Sequence, residues 1–289
     1  MNYEKNIRKI GRPKKLALIT LRVGTLVIVG LTVFLYFFQQ VYLFQPEEEI
    51  LRTPESLGLE FENVNIEIEG DTYIKGWYIP AADQKGVVLF CHSNYGNISY
   101  YLDAVFFINS LGFSILIFDY RGYGQSRGSP SEKGTYADVR AAWSYLRYTR
   151  NIPAENIIVW GRSLGAAIAA DLVVDYSPRA LVMESGFSSF PAVAKDYFPY
   201  VPVQMIARYD YNNLEKIKHA DCPVMVVHSR DDEIIAFYHG QKIFKAANPP
   251  KRFLEINGSH NDCYFESGKK YEQAIKAFLQ NAGTKQDRP

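Results

Sequence analysis

The chain has 289 residues, 47% of them hydrophobic, and its 32 basic and 31 acidic side chains nearly cancel. That length supports one large domain or two small ones with a substantial core, and the even charge balance excludes a global electrostatic footprint for nucleic acid. No internal repeat or low-complexity tract interrupts it.

Lys5, Arg8, Lys9, Arg12, Lys14, Lys15 and Arg22 precede the apolar run VGTLVIVGLTVFLYFFQQVYLF, Val23 to Phe44. As a helix these 22 residues span about 33 Å at ~1.5 Å per residue, which matches a bilayer core of roughly 30 Å. Tyr36, Tyr42 and Phe44 suit an interfacial belt. A cleaved signal peptide has a shorter apolar stretch, about 7–15 residues, that ends in small side chains. The run therefore reads as an uncleaved transmembrane anchor. Basic residues before it and PEEEI after it place residues 1–22 in the cytoplasm by the positive-inside rule. The body is then expected in a periplasmic, luminal or extracellular space.

Residues 45–57 read as a linker, and from 58 to 282 strand-like and helix-like pieces alternate, which predicts one α/β domain. FENVNIEIEG and TYIKGWYIP alternate apolar and polar residues around Gly70-Asp71, an edge hairpin. GVVLFCH, FSILIFDY, NIIVWG, ALVMES, CPVMVVHS and RFLEIN are short continuous apolar runs, as in parallel strands buried on both faces. Helical patterns separate them. The expectation is a mostly parallel sheet of about eight strands with helices on both faces. A long, aromatic-rich connection between two strands, at about 186–220, reads as a small cap. Residues 283–289 form a tail.

The segment GRSLG, Gly161 to Gly165, sits between a buried strand and an alanine-rich helix. There Ser163 occupies a sharp turn that lifts its hydroxyl above the sheet, while the helix N-terminus faces developing negative charge. A serine hydroxyl needs a base, and His92, His219, His228, His239 and His260 are available. Sites in open α/β sheets lie at the carboxyl ends of strands. His219 precedes a strand, His239 sits inside a predicted helix and His228 ends a strand, whereas His260 lies in the loop NGSHND after the last strand. His260 is the expected base. HSRDDEII offers Asp231 and Asp232 to orient it; adjacent residues in an extended turn point in different directions, so only one serves. The backbone amides of Leu164 and Asn94, the latter in HSNYGN, are the expected oxyanion donors, with His92 holding that turn. Cys91, Cys222 and Cys263 form no disulfide framework. His260 and Cys263 lack the second ligand pair of a zinc site, so no metal or organic cofactor is expected.

These residues resemble the α/β-hydrolase superfamily, and within it the membrane-anchored α/β-hydrolase-domain serine hydrolases, over nearly the whole chain. The anchor, LGLEFENVNI with GWYIP, FCHSNYGNIS, FDYRGYGQSRGSPSE, GRSLG, HSRDDEIIAF and GSHND fall in the family's order. The resemblance implies Ser163 as nucleophile, His260 as base and Asp232 as the acid, and it assigns RGYGQS to a loop shaping the turn beside the site. Two positions depart from the pattern: Ser93 stands where His-Gly-Asn is usual, and Ala236 where a proline usually follows the acid.

The expected chemistry is acyl transfer to water through an acyl-enzyme. Phe187, Phe190, Tyr197, Phe198 and Tyr200 would line an apolar pocket, and the short linker keeps it near the bilayer, so a lipid or acylated ester or thioester is the expected substrate. The same aromatics also suit ordinary packing of cap on sheet. Relatives in the resembled family include depalmitoylating thioesterases, lipases and peptidases, and fold does not choose among them. An aminopeptidase or amidase would want an acidic cluster near the cap, where Asp196, Asp210 and Glu215 are dispersed. A non-catalytic binding protein would have lost a member of the Ser, acid, His set, and none is lost. Oligomeric state is not readable from the sequence.

Overall fold

The structure, a computed structural model, describes residues 3–282; the tail expected at 283–289 lies outside the described residues. One sheet holds eight strands: β1 (Glu62–Glu69), β2 (Thr72–Ile79), β3 (Val87–Cys91), β4 (Ser114–Phe118), β5 (Ile157–Arg162), β6 (Ala180–Glu184), β7 (Val224–Ser229) and β8 (Lys251–Ile256). Their order across the sheet is β1-β2-β4-β3-β5-β6-β7-β8. The hairpin β1–β2 is antiparallel, β2 also runs antiparallel to β4, and every pairing from β4 to β8 is parallel.

Both faces of β3 to β7 are buried, which is why these strands read as unbroken apolar runs. Along β3, Leu89 and Cys91 point into one core while Val88 and Phe90 point into the other. Helices α2 (Leu102–Ser110) and α9 (Cys263–Asn281) supply Leu102, Val105, Ile275 and Leu279 to the second core. α3 (Glu132–Ser144), α4 (Leu164–Asp175) and α8 (Tyr238–Ala246) cover the first. Three short helices, α5 (Phe190–Tyr197), α6 (Val203–Ile206) and α7 (Asn213–Lys216), fill the long connection between β6 and β7. Ser163 and His260, which follow the carboxyl ends of β5 and β8, line one cavity with residues of α5 and α6.

The N-terminal helix α1 runs from Tyr3 to Leu43, and its 30 residues Lys14–Leu43 are long and apolar enough to cross a membrane. Residues 14–30 are exposed all the way round. Further on, Leu35, Gln39 and Leu43 are buried, at the four-residue spacing that puts them on one helix face. The segment after α1 is bonded to the domain along its backbone. Gln45–Pro46 pairs in parallel with Tyr95–Gly96, the Asn97 side chain donates to the carbonyls of Glu47 (2.9 Å) and Glu49 (2.7 Å), and Leu51 N donates to Ser99 Oγ (3.1 Å). The backbone groups of an extended, charged segment find their partners on the domain rather than in water.

The loop after β4 is fixed by one buried carboxylate. Asp138 on α3 accepts hydrogen bonds from Arg121 N (2.9 Å), Nε (2.9 Å) and Nη2 (2.7 Å). Asp138→Ala leaves a largely buried guanidinium without its partner. The expected cost is about 3–5 kcal/mol, read as a lowered melting temperature of the full chain in detergent.

Candidate active site

β5 ends at Arg162 and α4 begins at Leu164, leaving Ser163 at φ 54° and ψ −114°. That conformation costs a non-glycine residue about 1–3 kcal/mol and persists only where its surroundings hold it. Ser163 N donates to Glu184 O (2.8 Å), and Ser163 O accepts from Ala166 N (3.0 Å). The glycines have a steric reason. A Cβ on Gly161 would lie 2.1 Å from Gly165 O, and one on Gly165 would lie 2.0 Å from Cys91 O.

His260, nearly buried in the loop after β8, places Nε2 3.0 Å from Ser163 Oγ and Nδ1 2.8 Å from Asp232 Oδ2. The other oxygen of Asp232 accepts the amides of Ile234 (3.0 Å) and Ile235 (2.7 Å). Burial pushes the Asp232 carboxyl up, but the hydrogen bond and charge of His260, the Ile235 amide and His228 together hold it below the usual range. Asp231 turns the other way and accepts Gly258 N at 3.3 Å. Glu233 accepts His260 N at 3.0 Å, so three consecutive acidic side chains fix the histidine loop.

The remaining histidines are placed elsewhere. His228 is buried, pairs Nε2 with Ile235 O (2.9 Å), and burial lowers its pKa. His239 joins Ser188 Oγ (2.8 Å) to Asp196 Oδ2 (3.0 Å), a second Ser, His, Asp chain. Ser188 is 1% exposed and does not line the cavity described below, so this chain ties α5 and α8 to the loop after β6. His219 is an exposed residue of a short turn before β7.

His92 lies fully buried with its ring 4.3 Å from that of Tyr120. Its Nδ1 donates to Ser93 O (2.7 Å), and its carbonyl accepts the Tyr120 hydroxyl (2.8 Å). Burial lowers its pKa to about 3. Burial also raises that of Asp119, whose Oδ1 is 3.6 Å from His92 Nε2, to about 8 against the opposing bond from Ile98 N. Burial therefore favours the uncharged form of each partner. Next to it, Asn94 O accepts Gln45 N (3.0 Å) and the Tyr123 hydroxyl (2.9 Å). Tyr123 belongs to RGYGQS, so that motif holds the Asn94 turn from beneath.

Glu184 and Arg162 brace the site from the sheet. Glu184, the last residue of β6, accepts Trp160 Nε1 (3.1 Å) and the Tyr271 hydroxyl (2.9 Å) and lies 3.5 Å from Arg162 Nε. Arg162 in turn donates to Asn261 O (2.6 Å), beside His260. The signal was a charged residue closing an apolar strand, since a buried charge needs partners.

A cavity of about 800 Å³ opens over the serine. Ser163, Leu164, Asn94, His260, Phe187, Phe190, Tyr197 and Phe198 all line it, together with Leu35, Gln39 and Leu43 of α1. Tyr200 does not: it is 85% exposed at the tip of the cap. The side chain of Cys263, the second residue of the weighed metal pair, lies outside the described residues.

A family model described as alpha/beta hydrolase fold matches residues 86–205. An uncharacterised protein of Mycobacterium tuberculosis is 32% identical over 266 residues, covering 91% of this chain and 95% of that protein. The chain belongs to the α/β-hydrolase superfamily. Alpha/beta hydrolase domain-containing protein 17B of Homo sapiens is 34% identical to this hydrolase-fold chain over 206 residues, 68% of this chain and 66% of that one. Among solved structures, a Pyrococcus furiosus esterase superposes with a TM-score of 0.70 at 19% identity, covering 84% of this chain and 98% of its own. At that identity the likeness is one of fold.

Two outcomes are expected. Gly165→Ala drives a methyl into the Cys91 carbonyl and lowers stability by at least about 1–3 kcal/mol, measurable by thermal unfolding. The Asp119 carboxyl binds its proton more tightly folded, at about 8, than unfolded near 3.8, so its contribution to stability is full below the lower value and is lost as pH rises toward the upper. Asp119→Asn keeps the acceptor for Ile98 N and removes that loss. The melting temperature of the wild type should fall more than the variant's between about pH 5 and about pH 8.

Proposed function

We propose that this α/β hydrolase is a membrane-anchored serine hydrolase that cleaves a carboxylic ester or thioester of an acyl or lipid-type substrate. The observation that carries the reading is the hydrogen-bonded chain Ser163, His260, Asp232 at the foot of an apolar cavity. Ser163 Oγ attacks the carbonyl while His260 Nε2 takes its proton; Asp232 holds the imidazole in the tautomer that leaves Nε2 free to accept. The tetrahedral oxyanion is held by the amides of Leu164 and Asn94. As first residue of α4, Leu164 has no helical carbonyl to bond, and each such donor is worth roughly 2.7–4 kcal/mol in the transition state. His260 then protonates the leaving group, and water, deprotonated by His260, releases the acid from Ser163. Every step uses this chain's own groups.

The Pyrococcus furiosus neighbour is an esterase, which supports the ester reading. The amidase alternative gains nothing from the cap acids. Asp196 bonds Tyr238 and His239, Glu215 pairs with Lys218, and neither these two nor Asp210 lines the cavity. In this reading Val23 to Phe44 is the anchor, the N-terminus is cytoplasmic, and the domain from residue 58 works on the opposite side of the membrane.

The test compares the full chain in detergent with Ser163→Ala for labelling by a fluorophosphonate and for hydrolysis of p-nitrophenyl esters. The wild type should label and turn over. Ser163→Ala should not label and should lose roughly 10⁴- to 10⁶-fold in kcat, and Asp232→Asn about 10⁴-fold. A wild type that neither labels nor turns over would replace this reading with that of a non-catalytic binding protein.

A further inference from the structure

α1 is more than a tether. Leu35, Gln39, Tyr42 and Leu43 line the cavity, and their spacing of four, three and one residues puts them on one helix face. They extend the cavity wall about 12 Å along the helix at ~1.5 Å per residue. The contact has a fixed register. Gln39, buried within the apolar run, donates from Nε2 to Ile206 O (2.8 Å) and accepts Arg208 N at Oε1 (2.8 Å). Both ends of its amide are thus satisfied by the cap, as a buried amide requires. One turn earlier, Leu35 packs with Val201 and Val203. One turn later the chain leaves the helix and Gln45 N bonds Asn94 O, the turn proposed to hold the oxyanion.

The outer side of this junction is apolar and uncovered. Phe34, Phe37, Phe38 and Val41 of α1 are exposed, and so are Tyr200 (85%) and Met205 (86%) at the cap tip, which flank the residues packed on Leu35. An apolar surface of this extent beside a cavity marks a membrane or ligand contact. Leu31 and Leu35, which pack against the cap, and Gln39, which bonds it, also belong to the helix segment apolar enough to cross a membrane. Hence the cap tip sits at the level of the outer leaflet when the helix spans it.

We propose that α1 forms the acyl-binding wall of the substrate cavity. A long acyl chain then lies along Leu35, Gln39 and Leu43 with its carbonyl carbon at Ser163 Oγ. The ligand is a long-chain ester or thioester whose chain already resides in the membrane. This rests on the ester and thioester hydrolase reading above. In that chemistry the acyl–oxygen or acyl–sulfur bond breaks, water supplies the new hydroxyl, and the alcohol or thiol leaves with the proton from His260.

The experiment uses the full chain in phosphatidylcholine vesicles. Its probes are p-nitrophenyl butyrate, p-nitrophenyl palmitate and an S-palmitoyl peptide. Faster turnover of either palmitoyl probe than of the butyrate supports the proposal, and the preferred one identifies the source of the chain as ester or acylated peptide. Leu35→Trp fills the wall and should lower the palmitate-to-butyrate ratio roughly tenfold or more. Met205→Glu changes only an exposed side chain, and by setting a charge in the leaflet it should lower the ratio of vesicle-embedded to detergent-dispersed palmitate turnover roughly tenfold. Fluorophosphonate labelling of each variant reports whether the Ser163 site is intact. Should the wild type label and cleave butyrate while both ratios stay at wild-type values in labelling variants, α1 is an anchor alone and only this proposal falls. Should the wild type neither label nor cleave butyrate, the hydrolase reading falls first and takes this one with it.

Discussion

The close approach of three backbones at Gly161, Gly165 and Cys91 is the constraint on which the site depends. A strand end, a helix start and the neighbouring strand end come within distances that no Cβ could share. That packing forces the residue between strand and helix into a left-handed conformation, and Ser163 occupies it. The strain is offset by two backbone hydrogen bonds and by the burial of nearly all of α4. A serine so held cannot withdraw its hydroxyl into a relaxed turn, so its reach to His260 is set by the sheet.

Around that elbow, buried polar groups act as struts. Glu184 gathers Trp160, Tyr271 and Arg162, and Arg162 passes the constraint to the loop carrying His260. Asp231, Asp232 and Glu233 each grip a different atom of the same loop. On the other side, the buried His92–Asp119 pair and the Tyr123 hydroxyl fix the Asn94 turn. In a low-dielectric interior such bonds are strong when complete and costly when broken. The residues flanking Ser163 and His260 therefore need as much definition as those two side chains.

The fold places the apolar surface as well as the polar chemistry. The cap folds its aromatics over the carboxyl ends of the strands, and the last turns of α1 close the same cavity from the side. Helix α1 and the domain share a core cluster and a hydrogen-bonded amide. In the proposed reading this is what lets one apolar volume serve two ends, a carbonyl at Ser163 and a chain in lipid.

Much was determined by the sequence alone, because its signals are local. Unbroken apolar runs mark strands buried on both faces, GRSLG marks a turn that needs two glycines, and a long uncharged run marks a helix that fits a bilayer. The order Ser163, acid, His260 could also be proposed, since strand ends and loops follow from periodicity. Tertiary structure decided what depends on contacts far apart in the chain. It separated Asp232 from Asp231 by direction, revealed Glu184 and Arg162 as partners, and removed Tyr200 from the cavity by leaving it on the surface. It also brought Gln39 to residues 206 and 208 and Gln45 to Asn94. Periodicity specifies which face of an element is apolar but not which distant element covers it, and that choice is made only when the whole chain packs.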